Sequence, residues 1–161
     1  MFFKTYSYLK FLLKSQNQHG LHSPFVYDFV TKGLYQQKIK INDLLELKEL
    51  KNLSKKQMIL FSKIATYFEI KNIDFDVNSF SENKNKFYKL LFSKDISSLK
   101  NINFKNLNSH HIIIVDQIHQ HKKEWQRTID LQEATVTIDL FYFGLIFFRK
   151  EQVKEHFIIR T

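Results

Sequence analysis

The feature that most constrains the fold is a run of four apolar residues at positions 112–115, Ile-Ile-Ile-Val. A strand that is apolar at every position presents a hydrophobic side chain to both faces of its sheet, so both faces must be covered. The run is far shorter than the roughly 20 residues that cross a membrane as a helix. The sequence therefore predicts a central, partly parallel sheet with helices on both faces.

The chain before residue 70 has the spacing of helices. Apolar residues recur every three to four positions from Phe2 to Leu13. Ser23 before Pro24 is a strong helix start, and Gly33 is placed to end that helix. Asn42 and Ser54 are further capping residues. The predicted helices cover about residues 2–15, 24–33, 43–50 and 55–68.

The period changes after residue 70. Ile73, Phe75 and Val77 alternate with Asp74 and Asp76, which predicts a strand with one wet face. Unpaired carboxylates inside a doubly covered strand would be very costly. We therefore expect this strand to lie at the edge of the sheet or to lack a covering helix on one face.

The remaining pattern alternates helices and strands. Ser79 and Glu82 have capping-box spacing, which predicts a helix to about Phe92. A short strand is expected near residues 101–104, and a helix across 122–129. Further strands are predicted at 135–140, 144–149 and 156–160. The fold class is α/β: a single domain, 1–161, in which a helical region, 1–70, precedes a sheet of about four to six strands.

Charge and composition restrict the function classes. The formal net charge is +9, and residues 1–70 carry a net +6 of it from 11 lysines and 5 acidic residues. A basic face favours nucleic acid, anionic lipid or an acidic partner, although a generally lysine-rich composition explains it equally well. With no cysteine, disulfides and thiolate metal sites are excluded. We expect a cytoplasmic protein.

Two stretches resemble a known family. They are residues 19–30, which read HGLHSPFVYDFV, and residues 136–149 continuing through 155–160. Together they look like the two ends of Bacteroidetes-type class I SAM-dependent methyltransferases, and residues 112–125 resemble that family's fifth strand and the helix after it. The resemblance implies a Rossmann-like methyltransferase sheet behind an N-terminal helical extension, with a site for SAM.

The segment that would hold SAM departs from the family pattern. In the family, a glycine-rich turn follows the first strand; here the two glycine positions hold Val77 and Ser81. A β-branched residue does not easily take the positive φ that glycine allows. The only glycines are Gly20, Gly33 and Gly144, and none lies between a strand and a helix. Between residues 77 and 112 there is room for one helix and one short strand, so much of the cofactor-binding half is missing.

Two residue sets remain as candidate sites. If SAM is bound in a rebuilt pocket, Asp76, Asn78 and Ser79 are the expected contacts. At the end of the fifth strand, Asp116, Gln117 and His119 stand where the metal-dependent relatives have an acidic pair. One carboxylate with an amide is a poor Mg²⁺ site. The alternative is that Asp116 caps the helix that follows it.

These observations leave three functional hypotheses. The first is a non-catalytic methyltransferase-like protein without a cofactor, which pairs with a second copy or with a methyltransferase paralogue through an exposed sheet edge. The second is an active methyltransferase that binds SAM in a rebuilt pocket. The third is a basic module for nucleic acid or an anionic membrane surface. In the third, the helix over residues 2–15 lies on a membrane; otherwise its apolar stripe packs on its own domain.

Overall fold

A computed structural model describes residues 2–37, 43–80 and 87–161, and it shows an α/β fold with one six-stranded mixed sheet. The strand order is β1-β2-β3-β5-β4-β6. β1, β2 and β3 are parallel to one another, and β5 runs antiparallel between β3 and β4. β6 is parallel to β4. The strands are β1 (Ile73–Asp74), β2 (Lys89–Ser93), β3 (His111–Asp116), β4 (Val136–Asp139), β5 (Phe143–Phe147) and β6 (Glu155–Ile158).

β3 contains the apolar run at 112–115, and all six of its residues are buried. Ile112 and Ile114 belong to one hydrophobic cluster, whereas Ile113 and Val115 belong to a second. Because successive side chains of a strand point to opposite faces, the two clusters lie on opposite sides of the sheet. The predicted central strand with both faces covered is confirmed.

Four α-helices lie in the described part of the chain: α1 (Phe2–Lys14), α2 (Pro24–Asp28), α3 (Lys55–Tyr67) and α4 (Lys122–Asp130). Their predicted caps are present. The Ser23 hydroxyl accepts from the Val26 amide at 3.4 Å, and Ser54 forms a reciprocal capping box with Gln57. α2 continues as a π-helical turn over Phe29–Leu34. None of these helices is long and apolar enough to cross a membrane.

Gly33 does not end a helix, as the sequence suggested; it lies inside the π-helical turn. No glycine has a positive φ. A β-carbon at Gly33 would lie 3.1 Å from the Tyr67 ring. Close packing against α3, rather than a left-handed cap, is the physical reason for this glycine.

Three other predictions were wrong. Residues 89–93 form strand β2 instead of the end of a helix, because this segment pairs with β1 and β3 on its two sides. Residues 101–104 contain no strand; Ile96–Asn101 is a 3-10 helix capped by Asp95. Two short 3-10 helices, Asp43–Glu46 and Lys48–Leu50, replace the helix expected at 43–50. Asn42 and Glu82, both predicted capping residues, lie outside the described residues.

The strand predicted at 73–77 is limited to Ile73–Asp74, and this β1 lies at one end of the strand order, as Asp74 and Asp76 predicted. Asp74 forms an ion pair with Lys89 at 3.4 Å, and Asp76 is exposed. One carboxylate therefore has a cationic partner and the other is in contact with solvent. A position at the end of the strand order makes both possible. At the other end of the order, the Gln16 amide donates to the Ile158 carbonyl at 2.7 Å, so a residue two positions after α1 pairs beside β6.

The predicted helix at the N-terminus is present, but its apolar stripe does not pack on the domain. Tyr6, Leu9 and Leu13 are 57%, 55% and 87% exposed. The packing face is a different one: Tyr8 and Phe11 contact the Phe141 ring at centroid distances of 4.9 and 5.5 Å. Tyr8 and Phe11, which contact the buried Phe141, therefore determine which face of α1 packs against the domain. The longer apolar stripe does not.

Candidate functional site

A cavity of about 300 Å³ lies where β4 and β6 end. Ligands of open α/β sheets commonly bind at the carboxyl ends of parallel strands. One wall is α1 and the other is α4 with the turn before it, while β4 and β6 provide the floor. The residues that line it are Ser7, Lys10, Phe11, Lys14, Ile118, His119, Lys122, Trp125, Gln126, Ile129, Asp139, Phe141, His156 and Ile158.

The floor is a polar patch on a sheet. Thr137 pairs with His156 and Asp139 pairs with Ile158 in the β4–β6 register. Since residues two apart on a strand share a face, Thr137 and Asp139 lie side by side there. The Thr137 hydroxyl and the Nδ1 atom of His156 are 2.9 Å apart.

Gly144 of β5 lies opposite Asp139. A β-carbon at this position would come within 2.6 Å of the Trp125 ring and 2.9 Å of Ile118. The absence of a side chain therefore lets the indole lie directly against the strand. This close approach sets the position of the α4 wall of the cavity.

Asp139 has an unusual environment for a carboxylate. Its Oδ1 accepts a hydrogen bond from the Phe141 amide at 2.7 Å. Burial raises the pKa of Asp139 to about 6, and the Phe141 hydrogen bond and the nearby Lys122 charge offset only part of that rise. This carboxyl group therefore titrates close to neutral pH.

Two histidines of the cavity are neutral at pH 7. Burial of part of its ring lowers the pKa of His156 to about 4, but the residue as a whole is exposed, so solvent screens much of this effect. Burial also lowers the pKa of His119, with added repulsion from Lys4 and Lys122. The His119 Nδ1 lies 3.2 Å from the Phe141 carbonyl oxygen, which can only accept, so the proton is on Nδ1.

Phe141 has a strained backbone, with φ at 69°. A bulky residue with a positive φ is rare and is retained only where its surroundings hold it. The Tyr142 amide donates to the Leu140 carbonyl at 2.9 Å, which makes Phe141 the centre of a tight turn. The Asp139 carboxylate and the His119 ring hold this turn from either side. Strained residues of this kind concentrate at binding sites.

Three lysines surround the opening of the cavity: Lys10, Lys14 and Lys122, all of which are exposed. The Lys122 ammonium donates to the Ser7 hydroxyl at 3.1 Å, which links α4 to α1 across the cavity. The Nε1 atom of Trp125 is buried and has no hydrogen-bond partner among the described residues. The cavity thus has a cationic opening, while the unpartnered indole nitrogen is enclosed in the packing of α4.

The predicted SAM contacts lie together, but not in this cavity. Asp76 Oδ1 accepts from the backbone and side-chain nitrogens of Asn78, at 2.9 and 3.0 Å. The Ser79 hydroxyl donates to the Asp76 carbonyl at 2.8 Å. Phe80 follows, is buried, and contacts the His111 ring at a centroid distance of 5.3 Å. These hydrogen bonds close the turn itself, and Asn78 also lines a separate cavity together with Val77 and Phe80.

The predicted metal residues have separate partners. Asp116 accepts from the Gln57 side chain at 2.7 Å and from the Gln117 side chain at 3.4 Å, while His119 faces Phe141. Burial raises the pKa of Asp116. The described ranges contain no group of three His, Cys, Asp or Glu residues arranged to hold a metal ion.

The alternative that Asp116 caps the next helix is wrong. Gln117 is the residue that precedes the 3-10 helix Ile118–Gln120, and no side chain caps that helix. Instead, Oδ1 of Asp116 accepts a hydrogen bond from the side-chain amide of Gln57 in α3. A long-range contact between residues 59 positions apart in sequence cannot be read from local spacing.

Sequence reasoning missed Asp139, His156 and Lys122 as site residues. A signal was present for the first two: Thr137, Asp139 and His156 are polar residues in segments that were predicted to be strands. Polar side chains on a covered sheet face are costly unless they are satisfied or used. The sequence does not show, however, that β4 and β6 are neighbours, so the patch could not be assembled from it.

The chain was compared with protein-family models, with curated proteins and with solved structures, and none of the three comparisons found a match.

Proposed function

We propose that this chain is a non-catalytic, methyltransferase-like protein. It acts by binding a second copy of itself or a methyltransferase paralogue, and not by transferring a methyl group. The observation that carries the proposal is the turn after β1. A SAM-binding turn must leave its acidic side chain and its backbone open to the cofactor. Here Asp76 is hydrogen bonded to Asn78, and no glycine is present in the turn.

The packing after this turn supports the same proposal. Phe80 is buried, and Val77 packs against the hydrophobic cluster that contains Phe80 and Leu91. Apolar side chains therefore follow the strand where a cofactor turn needs close backbone approach. A ligand does not easily displace the buried Phe80 side chain, because burial of such a side chain stabilises the fold by roughly 1.5–3 kcal/mol.

The sheet supports it as well. β1 has only two residues and ends the strand order in the described part of the chain. In the family that the sequence resembles, a further strand carries the acidic residue that holds the cofactor ribose. No described strand lies beyond β1 to supply that residue, which favours binding without SAM.

Calorimetric titration with SAM and with S-adenosylhomocysteine tests the proposal, together with amide NMR shifts on labelled protein. We expect no binding at millimolar ligand while the protein unfolds cooperatively. Micromolar binding with shifts confined to residues 76–80 would instead support the active-enzyme hypothesis. Val77→Gly is an informative second variant: gain of SAM binding in it would mean that only the missing glycine blocks the site.

An anionic membrane surface is a second candidate, favoured by one specific observation on α1. Tyr6, Leu9 and Leu13 are exposed on one side of this helix, and Lys10 and Lys14 are exposed near them. The Lys10 ammonium lies 4.9 Å from the centre of the Tyr6 ring. An apolar strip bordered by lysines matches the acyl chains and the anionic headgroups of a bilayer interface.

Vesicle sedimentation distinguishes this candidate. We expect binding to phosphatidylserine-containing vesicles that weakens with salt, and little binding to pure phosphatidylcholine. Leu9→Asn with Leu13→Asn should abolish it. Val153→Asn is the matched control, since Val153 is 81% exposed and lies outside α1. Equal binding of the wild type and the α1 variant, or binding to RNA alone, would contradict the membrane candidate.

A further inference from the structure

We propose that the cavity between α1, α4 and the β4–β6 floor binds a small aromatic acid that carries a hydroxyl group. The hydroxyl would reach the polar floor, and the acidic group would lie at the lysines of the opening. This inference does not depend on the methyltransferase resemblance, since the residues after β1 play no part in it.

The floor of the cavity supplies the polar partners for the hydroxyl group. Thr137 is buried and its hydroxyl meets the Nδ1 atom of His156, which leaves the second ring nitrogen of that neutral histidine for another partner. Asp139 lies two residues from Thr137 on the same strand, and its Oδ1 accepts a hydrogen bond from the Phe141 amide. An imidazole nitrogen and a carboxylate oxygen on one side of a sheet form a natural partner for a hydroxyl group.

Charge is separated by depth in this cavity. The exposed Lys10 and Lys14 lie at the opening on α1, and Lys122 lies there on α4. The acid Asp139 belongs to the floor. An anion is therefore attracted to the opening and repelled from the floor, which fixes the orientation of a ligand that has one charged and one neutral polar end.

The walls restrict the shape of the ligand. Phe11, Trp125 and Phe141 provide aromatic surface on both sides. The volume of about 300 Å³ is at the lower end of the range for small-molecule pockets, so it suits a single-ring compound.

The probe is 4-hydroxybenzoate, titrated into labelled protein while the Trp125 indole N–H resonance is followed. Trp125 is the only tryptophan of the chain, so this signal reports on the cavity alone. We expect a saturable shift of this resonance. Benzoate, which lacks the hydroxyl, and 4-hydroxybenzyl alcohol, which lacks the charge, should each bind about tenfold more weakly.

Two variants test the two ends separately. His156→Phe keeps an aromatic side chain at this position but removes both ring nitrogens. It should abolish the preference for 4-hydroxybenzoate over benzoate. Lys10→Gln with Lys14→Gln should weaken both acids and leave the neutral alcohol unchanged. Lys48→Gln with Lys51→Gln removes the same charge from exposed residues outside the cavity and should change nothing.

The proposal is overturned if 4-hydroxybenzoate at millimolar concentration does not shift the Trp125 resonance in a protein that is folded. Equal affinity for all three probes would overturn it too, because the floor and the opening would then contribute nothing. The outcome is separate from the SAM titration: failure of this test leaves the turn after β1 unaffected, and SAM binding is read from the amide resonances of residues 76–80 with a different ligand.

Discussion

The imidazole of His119 stacks on the ring of Phe141, with centroids 4.5 Å apart and an angle of 15° between the planes. The same histidine donates from Nδ1 to the carbonyl oxygen of Phe141 at 3.2 Å. One side chain thus supports both the ring and the strained backbone of the residue that connects β4 to β5. Because Phe141 also contacts Tyr8 and Phe11, this pair joins α1 to the sheet.

His119→Phe and His119→Ala should separate the two contributions of this pair. The phenylalanine keeps the stacking and loses one hydrogen bond, so we expect a loss of about 1 kcal/mol in the free energy of unfolding. The alanine loses the ring as well and should cost about 2–4 kcal/mol. Urea denaturation at pH 7.5 measures both; equal losses would mean that the ring contributes nothing.

Asp139→Asn should stabilise the protein at neutral pH. The folded-state pKa of Asp139 is about 6 and its ordinary value is 3.8, so the folded state binds this proton more tightly than the unfolded state. Stability from this group is therefore lost as pH rises from about 3.8 to 6. Asparagine has no charge to bury and keeps an oxygen for the Phe141 amide.

The size of that gain has an upper limit of about 3 kcal/mol at pH 7.5, and the gain should disappear near pH 3.5. Denaturation of both proteins across this range provides the measurement. His156 changes the free energy of unfolding with pH in the opposite direction, because its pKa is lowered. Its contribution to stability is present above pH 6.5 and is lost as pH falls towards 4. Only the difference between variant and wild type isolates Asp139, and a difference independent of pH would refute the assignment.

Gly144→Ala should destabilise the fold by about 1–3 kcal/mol, because the new methyl group overlaps the Trp125 ring and Ile118. Gly20→Ala is the matched control, since its nearest neighbour is Gln16 at an ordinary 3.6 Å. Neither glycine has a positive φ, so backbone strain does not enter the comparison. Thermal unfolding followed by Trp125 fluorescence measures both, and similar melting temperatures would rule out the close approach.

Gln57→Met should cost more than the capping change Ser54→Ala. Ser54→Ala removes one helix cap, worth about 1 kcal/mol. Gln57→Met removes the other half of the capping box and also the 2.7 Å hydrogen bond to the buried Asp116. Asp116 keeps its hydrogen bond from Gln117, but the loss of one partner from a buried carboxylate adds about 1–3 kcal/mol at neutral pH. That excess should shrink in acid as Asp116 is protonated, which denaturation at pH 7.5 and pH 4 tests.

Elements that depend on neighbours in the chain were predictable. Ser23 with Pro24, and Ser54, form the expected helix starts, and Ser54 adds a capping box with Gln57 that was not predicted. These interactions span three or four residues, so local sequence carries their full physical cause. The edge position of β1 was also predictable, because the carboxylates of Asp74 and Asp76, in this strand and just after it, cannot be buried without partners.

The residues of the cavity were predictable only in part. His119 was selected from the sequence, but as a metal ligand, and its actual partner is the carbonyl of Phe141, 22 residues away. Asp139 and His156 were not selected at all. Their proximity depends on the β4–β6 register, which joins segments that another strand separates in sequence.

From the sequence alone come the α/β class, the buried central strand, the helix caps and the absence of a glycine-rich turn, because each follows from local periodicity or residue type. The tertiary structure alone decides that residues 89–93 form a strand, that α1 turns Leu9 and Leu13 to solvent, and that Thr137, Asp139 and His156 share one face. The physical reason is common to all three. Strand pairing and helix rotation minimise the free energy of the whole core, and contacts between distant residues outweigh local preference.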